Sequence, residues 1–309
     1  MTSSELAPTL PPLPAAGSCA LPHLGVIAAC GEDAAHFLHN QLTQDFALLD
    51  MQHARLAAFC NAKGRMQASM VGFKTSPQEV LLVLRADLLA QTLKRLSMFV
   101  LRAKVKLKDV SAEWQVLGAF GSDPLLATPW TLTPHGSAWQ VALYPAAGVA
   151  RRLHLLPANE ALVTTNVDLQ DWLLGEVLSG VADVQAATYE AFVPQMLNYE
   201  SVDGVNFKKG CYPGQEVVAR SQFRGILKRR TYVMSSPVAL QAGVEIFSNT
   251  DSSQPAGLVA QAVSHDQHGH WALVCLQTAA EQADTLYPAG SPDSPLRLHP
   301  LPYALREDI

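Results

Sequence analysis

The chain is poor in cysteine and in charge, and it lacks any long apolar run. Its cysteines, Cys19, Cys30, Cys60, Cys211 and Cys275, are odd in number and widely spaced, with no C-x-x-C pair. This pattern excludes a disulfide framework and a zinc ribbon and suits a reducing compartment, so a cytoplasmic location is expected. Apolar stretches such as Val80 to Leu84 are soon interrupted by Arg85 and Asp87, well short of the roughly 18 to 20 residues that cross a bilayer. No membrane partner is expected. A net charge of −5 excludes a generic nucleic-acid coat. There is no P-loop, no G-x-G-x-x-G and no Ser-His-Asp spacing above chance. Residues 1–22 hold Pro8, Pro11, Pro12, Pro14 and Pro22 without the basic start or apolar core of a secretory signal, and they read as a flexible tail.

What remains is 309 residues with 49% apolar content and 16% charge, enough for a real core and for more than one packed unit. Leu24 to Ala29 reads as a buried strand, followed by a helix that carries Phe37, Leu38 and Leu42, with Glu32 and Asp33 in its first turn. Arg55 to Cys60 and Arg65 to Phe73 form strands joined by the turn Asn61-Ala62-Lys63-Gly64. A strand at Val80 to Leu84 precedes a helix from Asp87 to Val100, and strands are expected at Lys104 to Val110 and Val116 to Phe120. The stretch from Ser122 to Gly148 suggests excursions around one strand, Trp139 to Tyr144; a helix covers Leu169 to Leu178. This irregular alternation predicts an α+β fold. From Thr231 onward, short β-like runs separated by polar turns predict a small antiparallel barrel, which puts a boundary near residue 230. The expected division is thus 1–22, 23–230 and 231–309.

Between Lys208 and Arg230 stand seven basic residues, Lys208, Lys209, Arg220, Arg224, Lys228, Arg229 and Arg230, against Glu216, so a segment at +6 sits in a chain whose remainder is −11. Such a strip suits a carboxylate or phosphate ligand, although a solvated edge has the same composition. Tyr212-Pro213-Gly214-Gln215 has the residues of a type II turn, with Cys211 just before it. If Glu216 begins a helix, its free amides and the neighbouring lysines favour a thiolate at Cys211. A buried, inert cysteine is the competing reading.

"KGCYPGQE" at 209 to 216, with "VAR" at 218 to 220 and "RGILKR" at 224 to 229, resembles the signature of the YgfZ-type folate-binding proteins, relatives of the aminomethyltransferase (T-protein) of the glycine cleavage system. "FLHNQLTQD" at 37 to 45, "LAAFCNAKGRM" at 56 to 66, "PQMLNYESVDGVNFKKG" at 194 to 210 and "LPYAL" at 301 to 305 carry the resemblance over most of the chain. It implies a multi-subdomain fold like that of the T-protein, with a ferredoxin-like α/β part, a C-terminal β-barrel and a central folate channel. It also implies tetrahydrofolate, or a one-carbon derivative, as cofactor. The implied role is support of iron-sulfur enzymes, including one that thiolates tRNA, through transient contact with those proteins; a monomer is expected.

The family cysteine corresponds to Cys211, and its motif partners to Lys209, Tyr212, Gly214, Gln215 and Glu216. A folate-lining aromatic corresponds to Trp172, while Leu24 stands where relatives carry a second one. Folate is an anion with a flat, hydrogen-bonding head, so an apolar pocket with an aromatic face and a basic mouth would suit it. Trp172, Gln195, Asn198 and Glu216 are the expected lining, with Arg220 or Arg224 near the glutamyl tail. Where the transferases carry an acid after the first hairpin turn, this chain has Gln67, which cannot act as a general base. The resemblance therefore leans towards a helper protein rather than an enzyme. A folate-dependent one-carbon transferase or demethylase is the alternative. The run "SHDQHGHW", with His265, Asp266, His268 and His270, has metal-ligand types but reads as an exposed hairpin, so no metal is expected. The basic strip has one following aromatic, Phe223, and no RNA module, so no direct nucleic-acid contact is expected.

Overall fold

The computed structural model of the chain describes residues 10–123, 125, 128–160, 165–223, 227–283 and 285–306. Its first part runs β1 (Gly17–Ala20), β2 (Leu24–Cys30), α1 (Ala34–Gln41), β3 (Ala54–Cys60), β4 (Met66–Ser76), β5 (Glu79–Arg85), α2 (Ala86–Ser97) and β6 (Lys106–Asp109). There follow β7 (Trp114–Phe120), β8 (Leu132–His135), β9 (Ala138–Ala146), β10 (Val149–Pro157), α3 (Leu169–Leu178) and α4 (Gln215–Phe223). The last part is β11 (Arg229–Ser236), β12 (Glu245–Ser248), β13 (Gly257–His265), β14 (Gly269–Gln277), β15 (Leu286–Pro288) and β16 (Arg297–His299). These strands form three sheets, ordered β3-β4-β5-β2-β6, β1-β7-β10-β9-β8 and β15-β12-β13-β14-β11-β16. Every pairing among them is antiparallel.

The first sheet is buried on both faces, which is why β2 and β5 read as almost unbroken apolar runs. With a side-chain period of two, Val26, Ala28, Leu81 and Val83 face the centre of the molecule. Ile27, Ala29, Leu82 and Leu84 face outward against Phe37 and Leu38 of α1 and Leu89 and Leu96 of α2. The inward faces of all three sheets share one core. Leu56 of β3, Leu153 of β10, Trp172 of α3 and Leu273 of β14 belong to it together. Helix α3 packs against β13 and β14 of the third sheet and β1 and β9 of the second, so it sits where the sheets meet. Asp168 caps its N-terminus by accepting a hydrogen bond from the Gln170 amide at 2.9 Å.

Several expectations are corrected. Residues 10–22 are not a flexible tail: β1 pairs with β7, and Leu13, Cys19 and Leu21 are buried. Proline-rich composition hid a strand of only four residues. Residues 1–9 of that expected tail lie outside the described residues. The C-terminal strands do not close into a barrel, because β15 pairs with β12 and β16 with β11 but not with each other. Among its described residues, the stretch from Ser122 to Gly148 holds two strands instead of one, β8 and β9, which continue into β10 as a meander. The helix after β2 begins at Ala34, after both acids: Asp33 accepts the Lys104 amide at 2.7 Å, and Glu32 pairs with the Lys104 ammonium at 2.8 Å.

Candidate functional site

A cavity of about 630 Å3, its mouth included, opens between the first two sheets and α3. Aliphatic side chains such as Leu21, Leu56, Val83 and Leu153 form most of its wall, and Leu24 joins them. The ring of Trp172 forms another wall. It is 1% exposed and comes close to β7 at Gly118, where a Cβ would lie 2.5 Å from the ring. Any larger residue at 118 would push the indole into the cavity.

Against these walls stands a charged network. Glu176, one turn after Trp172 on α3, accepts from the Trp172 indole N–H at 2.9 Å and from His23 Nε2 at 3.1 Å on one oxygen, and from Gln261 Nε2 at 2.9 Å on the other. Burial works to raise the Glu176 pKa, but the His23 bond and the Arg151 and Arg85 charges outweigh it and hold the carboxyl below its ordinary range. Arg151 of β10 is 4% exposed, with its guanidinium carbon 4.3 Å from the Trp172 ring centre. Among the described residues its Nε has no hydrogen-bond partner, and burial lowers its pKa to about 10. Asp183 also lines the cavity. Burial, and after it the Glu176 charge, push its carboxyl up to about 6. Sequence reading missed Glu176, Asp183 and Arg151, because nothing beside them in the chain marks them off from other charges of helix, loop or strand.

The cysteine motif is a different place. Cys211 is exposed in the loop before α4. The turn expected at Tyr212 to Gln215 is present: the Gln215 amide donates to the Tyr212 carbonyl at 3.1 Å, and Gly214 has φ +83°. Gly214 is pressed onto the β3–β4 turn, where an added Cβ would be 2.4 Å from the Asn61 carbonyl oxygen. Lys209 is buried beneath the loop, and its ammonium donates to the carbonyls of His39 and Leu42 at the end of α1, the latter at 2.8 Å. It also lies 4.6 Å from the ring centre of buried Tyr212. Burial lowers its pKa to about 8, with Asp45 and Cys211 opposing the shift. Gln215 makes long contacts, 3.5 and 3.4 Å, to the carbonyls of Lys209 and Gly210.

Of the expected folate lining, only Trp172 and Leu24 border the cavity. Gln195 is fully buried and donates to the Val218 carbonyl at 2.7 Å, tying a short helical turn to α4. Asn198, at φ 59°, donates to the Thr231 carbonyl at 2.7 Å and accepts from the Thr231 amide at 3.3 Å. The Asn198 amide is used from both ends in joining segments, and Gln195 through its Nε2, while its buried Oε1 has no partner among the described residues. Glu216 and Arg220 are exposed on α4, and Arg224 lies outside the described residues. Nor is the basic strip one exposed field. Lys209 and Arg230 are buried, and Arg230 pairs with Glu200 and donates to the Arg306 carbonyl at 3.1 Å. Gln67 is buried and donates to Glu190 at 2.6 Å, so a carboxylate lies beside the position that lacks one. The segment from His265 to His270 is the β13–β14 hairpin, in which His265 pairs with Asp171 at 3.1 Å. Among the described residues no three His, Cys, Asp or Glu side chains are arranged to hold a metal ion, and no helix is long and apolar enough to cross a membrane.

No family model matches the chain. An uncharacterized protein of Haemophilus influenzae is 30% identical over 247 residues, spanning 78% of this chain and 82% of that protein. Proteins named tRNA-modifying protein YgfZ are similar along nearly the whole length. That of Yersinia pestis is 26% identical over 92% of this chain and 91% of its own, and that of Klebsiella pneumoniae 28% over 90% of each. The chain belongs to the YgfZ family. Its fold resembles that of the glycine cleavage system aminomethyltransferase T from Bartonella henselae, with a TM-score of 0.63 at 16% identity over 93% of this chain and 86% of that one. Within the family fold, the central cavity and the exposed motif cysteine are separate features.

Proposed function

We propose that this protein binds tetrahydrofolate, or a one-carbon derivative of it, in the central cavity, and that it supports the synthesis or repair of iron-sulfur enzymes, including one that thiolates tRNA. The observation that carries the reading is the cavity itself. It has a flat aromatic wall at Trp172, aliphatic sides, and polar groups whose hydrogen-bonding capacity the chain does not use up. The Asp183 carboxyl and the Arg151 cation in the cavity wall fit a flat, polar ligand. Bound folate would supply a carrier for one-carbon units, while the protein would supply its orientation and exclusion from water. The relatives' name, tRNA-modifying protein, supports the accessory role.

Cys211 is the proposed functional thiol of that role, exposed where a partner protein can reach it. One cysteine cannot hold a cluster by itself, because iron-sulfur sites ordinarily take four ligands, so any cluster contact is shared with the client. Folate-dependent transfer by the protein itself is the second reading, and Glu190 beside Gln67 is what favours it. Incubation with tetrahydrofolate and an aminomethyl thioether, whose C–S bond breaks as its methylene passes to folate and ammonia and thiol leave, separates the two. The accessory reading expects no turnover, together with loss of tRNA thiolation when Cys211→Ala replaces the wild type in cells. Steady formation of methylene-tetrahydrofolate by Cys211→Ala would establish the transferase.

A further inference from the structure

The two cavity carboxylates differ in what remains for a ligand. Both oxygens of Glu176 are engaged by donors of the chain itself, Trp172 and His23 on one and Gln261 on the other. Gln261 spends its own oxygen on the Asp183 backbone amide at 3.2 Å, which fixes where residue 183 stands. Among the described residues the Asp183 carboxylate has a single long hydrogen-bond contact, 3.5 Å from Ser69 Oγ, and that hydroxyl already accepts the Val184 amide at 2.8 Å. A carboxylate has about four acceptor sites, so most of the capacity of Asp183 faces the cavity unfilled. Arg151 borders the same cavity, its Nε buried against Gly175 of α3. A half-buried acid left under-bonded beside a second acid costs stability, and chains keep such groups where they bind or react.

Resting on the folate reading above, we propose that Asp183 is the residue that recognises the ligand's heterocycle: its two oxygens accept two adjacent N–H donors on one edge of a flat ring, as the 2-amino and N3–H groups of a pteridine present them. The pairing is of the two-pronged kind that gives carboxylates their geometric selectivity. It places the ring against Trp172 and makes Glu176 a positioning residue that holds the indole and His23. Around Asp183 stand Ser69 from β4, Glu176 from α3, Arg151 from β10, Gln261 from β13 and Tyr199, with the charges of Arg85 and His23. Donors arriving at its carboxylate favour the ionised form. Binding therefore releases protons near pH 6 and weakens in more acidic solution.

Calorimetry with the full chain and tetrahydrofolate under anaerobic conditions tests this, run in two buffers of different ionisation enthalpy at pH 6 and pH 7.5. Asp183→Asn is expected to bind about tenfold or more weakly and to lose the proton release. A folate analogue without the 2-amino donor, measured on wild type, is expected to lose a similar factor, which keeps the test valid if the variant folds poorly. Saturable wild-type binding that neither Asp183→Asn nor the analogue weakens would overturn the assignment of Asp183 while leaving the folate reading intact. No saturable binding by wild type would overturn both.

Discussion

The guanidinium carbon of Arg151 stands 4.3 Å from the centre of the Trp172 ring, and the indole N–H of that ring is held by Glu176 at 2.9 Å. The aromatic wall is thereby fixed from two sides, by a cation on its face and an anion at its edge. Trp172→Phe keeps a ring but removes the N–H, leaving a buried carboxylate short of one donor. We expect it to lose about 1 to 3 kcal/mol in urea unfolding. Gly118→Ala should cost about as much as an ordinary overpacking change, about 1 to 3 kcal/mol, because the ring can yield only by moving into the cavity and away from its partners Arg151 and Glu176.

Asp183 and Glu176 carry opposite pH signatures. The folded pKa of Asp183, about 6, lies above its ordinary 3.8, so between those values the folded chain holds a proton that the unfolded chain has lost. Stability from this group is present below about pH 4 and is lost as pH rises through about 6. Asp183→Asn is therefore expected to be more stable than wild type at pH 7.5, by about 1 to 3 kcal/mol, with the gap closing towards pH 4. Glu176 is held below its ordinary 4.5, so its contribution is present above that pH and is lost on acidification. Glu176→Gln should be destabilised at neutral pH. Thermal melts of both variants from pH 4 to 8 read the two slopes.

The seating of the motif loop depends on Gly214. A methyl group there would collide with the Asn61 carbonyl at 2.4 Å, and φ +83° is strained for any L side chain. Gly214→Ala should cost about 2 to 4 kcal/mol or release the loop from the β3–β4 turn. Hydrogen exchange at the amides of residues 61 to 64 distinguishes loop release from global loss.

Thiol accessibility separates Cys211 and Cys30 from the other three cysteines, which are buried. Burial pushes Cys19 up to about 11 and Cys275 up to about 12, and buried Cys60 is likewise raised. Exposed Cys30 is raised too, by partial burial and by its bond to Glu79. Iodoacetamide at pH 8 should label one thiol of the native protein well ahead of the rest, and Cys211→Ala should abolish that fast phase. Fast labelling that survives the substitution would remove Cys211 as the accessible thiol.

How much of this was legible in sequence depended on whether the signal was local. Helix α3 was readable to its ends, because an Asp cap precedes a continuous apolar helix; the Pro-Gly turn was readable because its φ requirement is written in two residues. The burial of Lys209 was not, since nothing beside it in the chain announces that its ammonium ends on the carbonyls of His39 and Leu42, some 170 residues away. Gln195 and Asn198 were read as ligand groups because their type is right, but their partners on Val218 and Thr231 are set by tertiary packing. The cavity acids were invisible for the same reason. Asp183 becomes notable only once Gln261 and Ser69, from two other sheets, are placed around it.

The central claim is that tetrahydrofolate occupies the cavity beside Trp172. Titration of tetrahydrofolate into wild type and Trp172→Ala, followed by calorimetry, tests it most directly, with circular dichroism establishing that the variant is folded. The account predicts saturable binding at one site in wild type and a loss of about tenfold or more in the variant, as removal of a stacking wall would cause. Absence of saturable binding in wild type, or equal affinity in a folded Trp172→Ala, would contradict it.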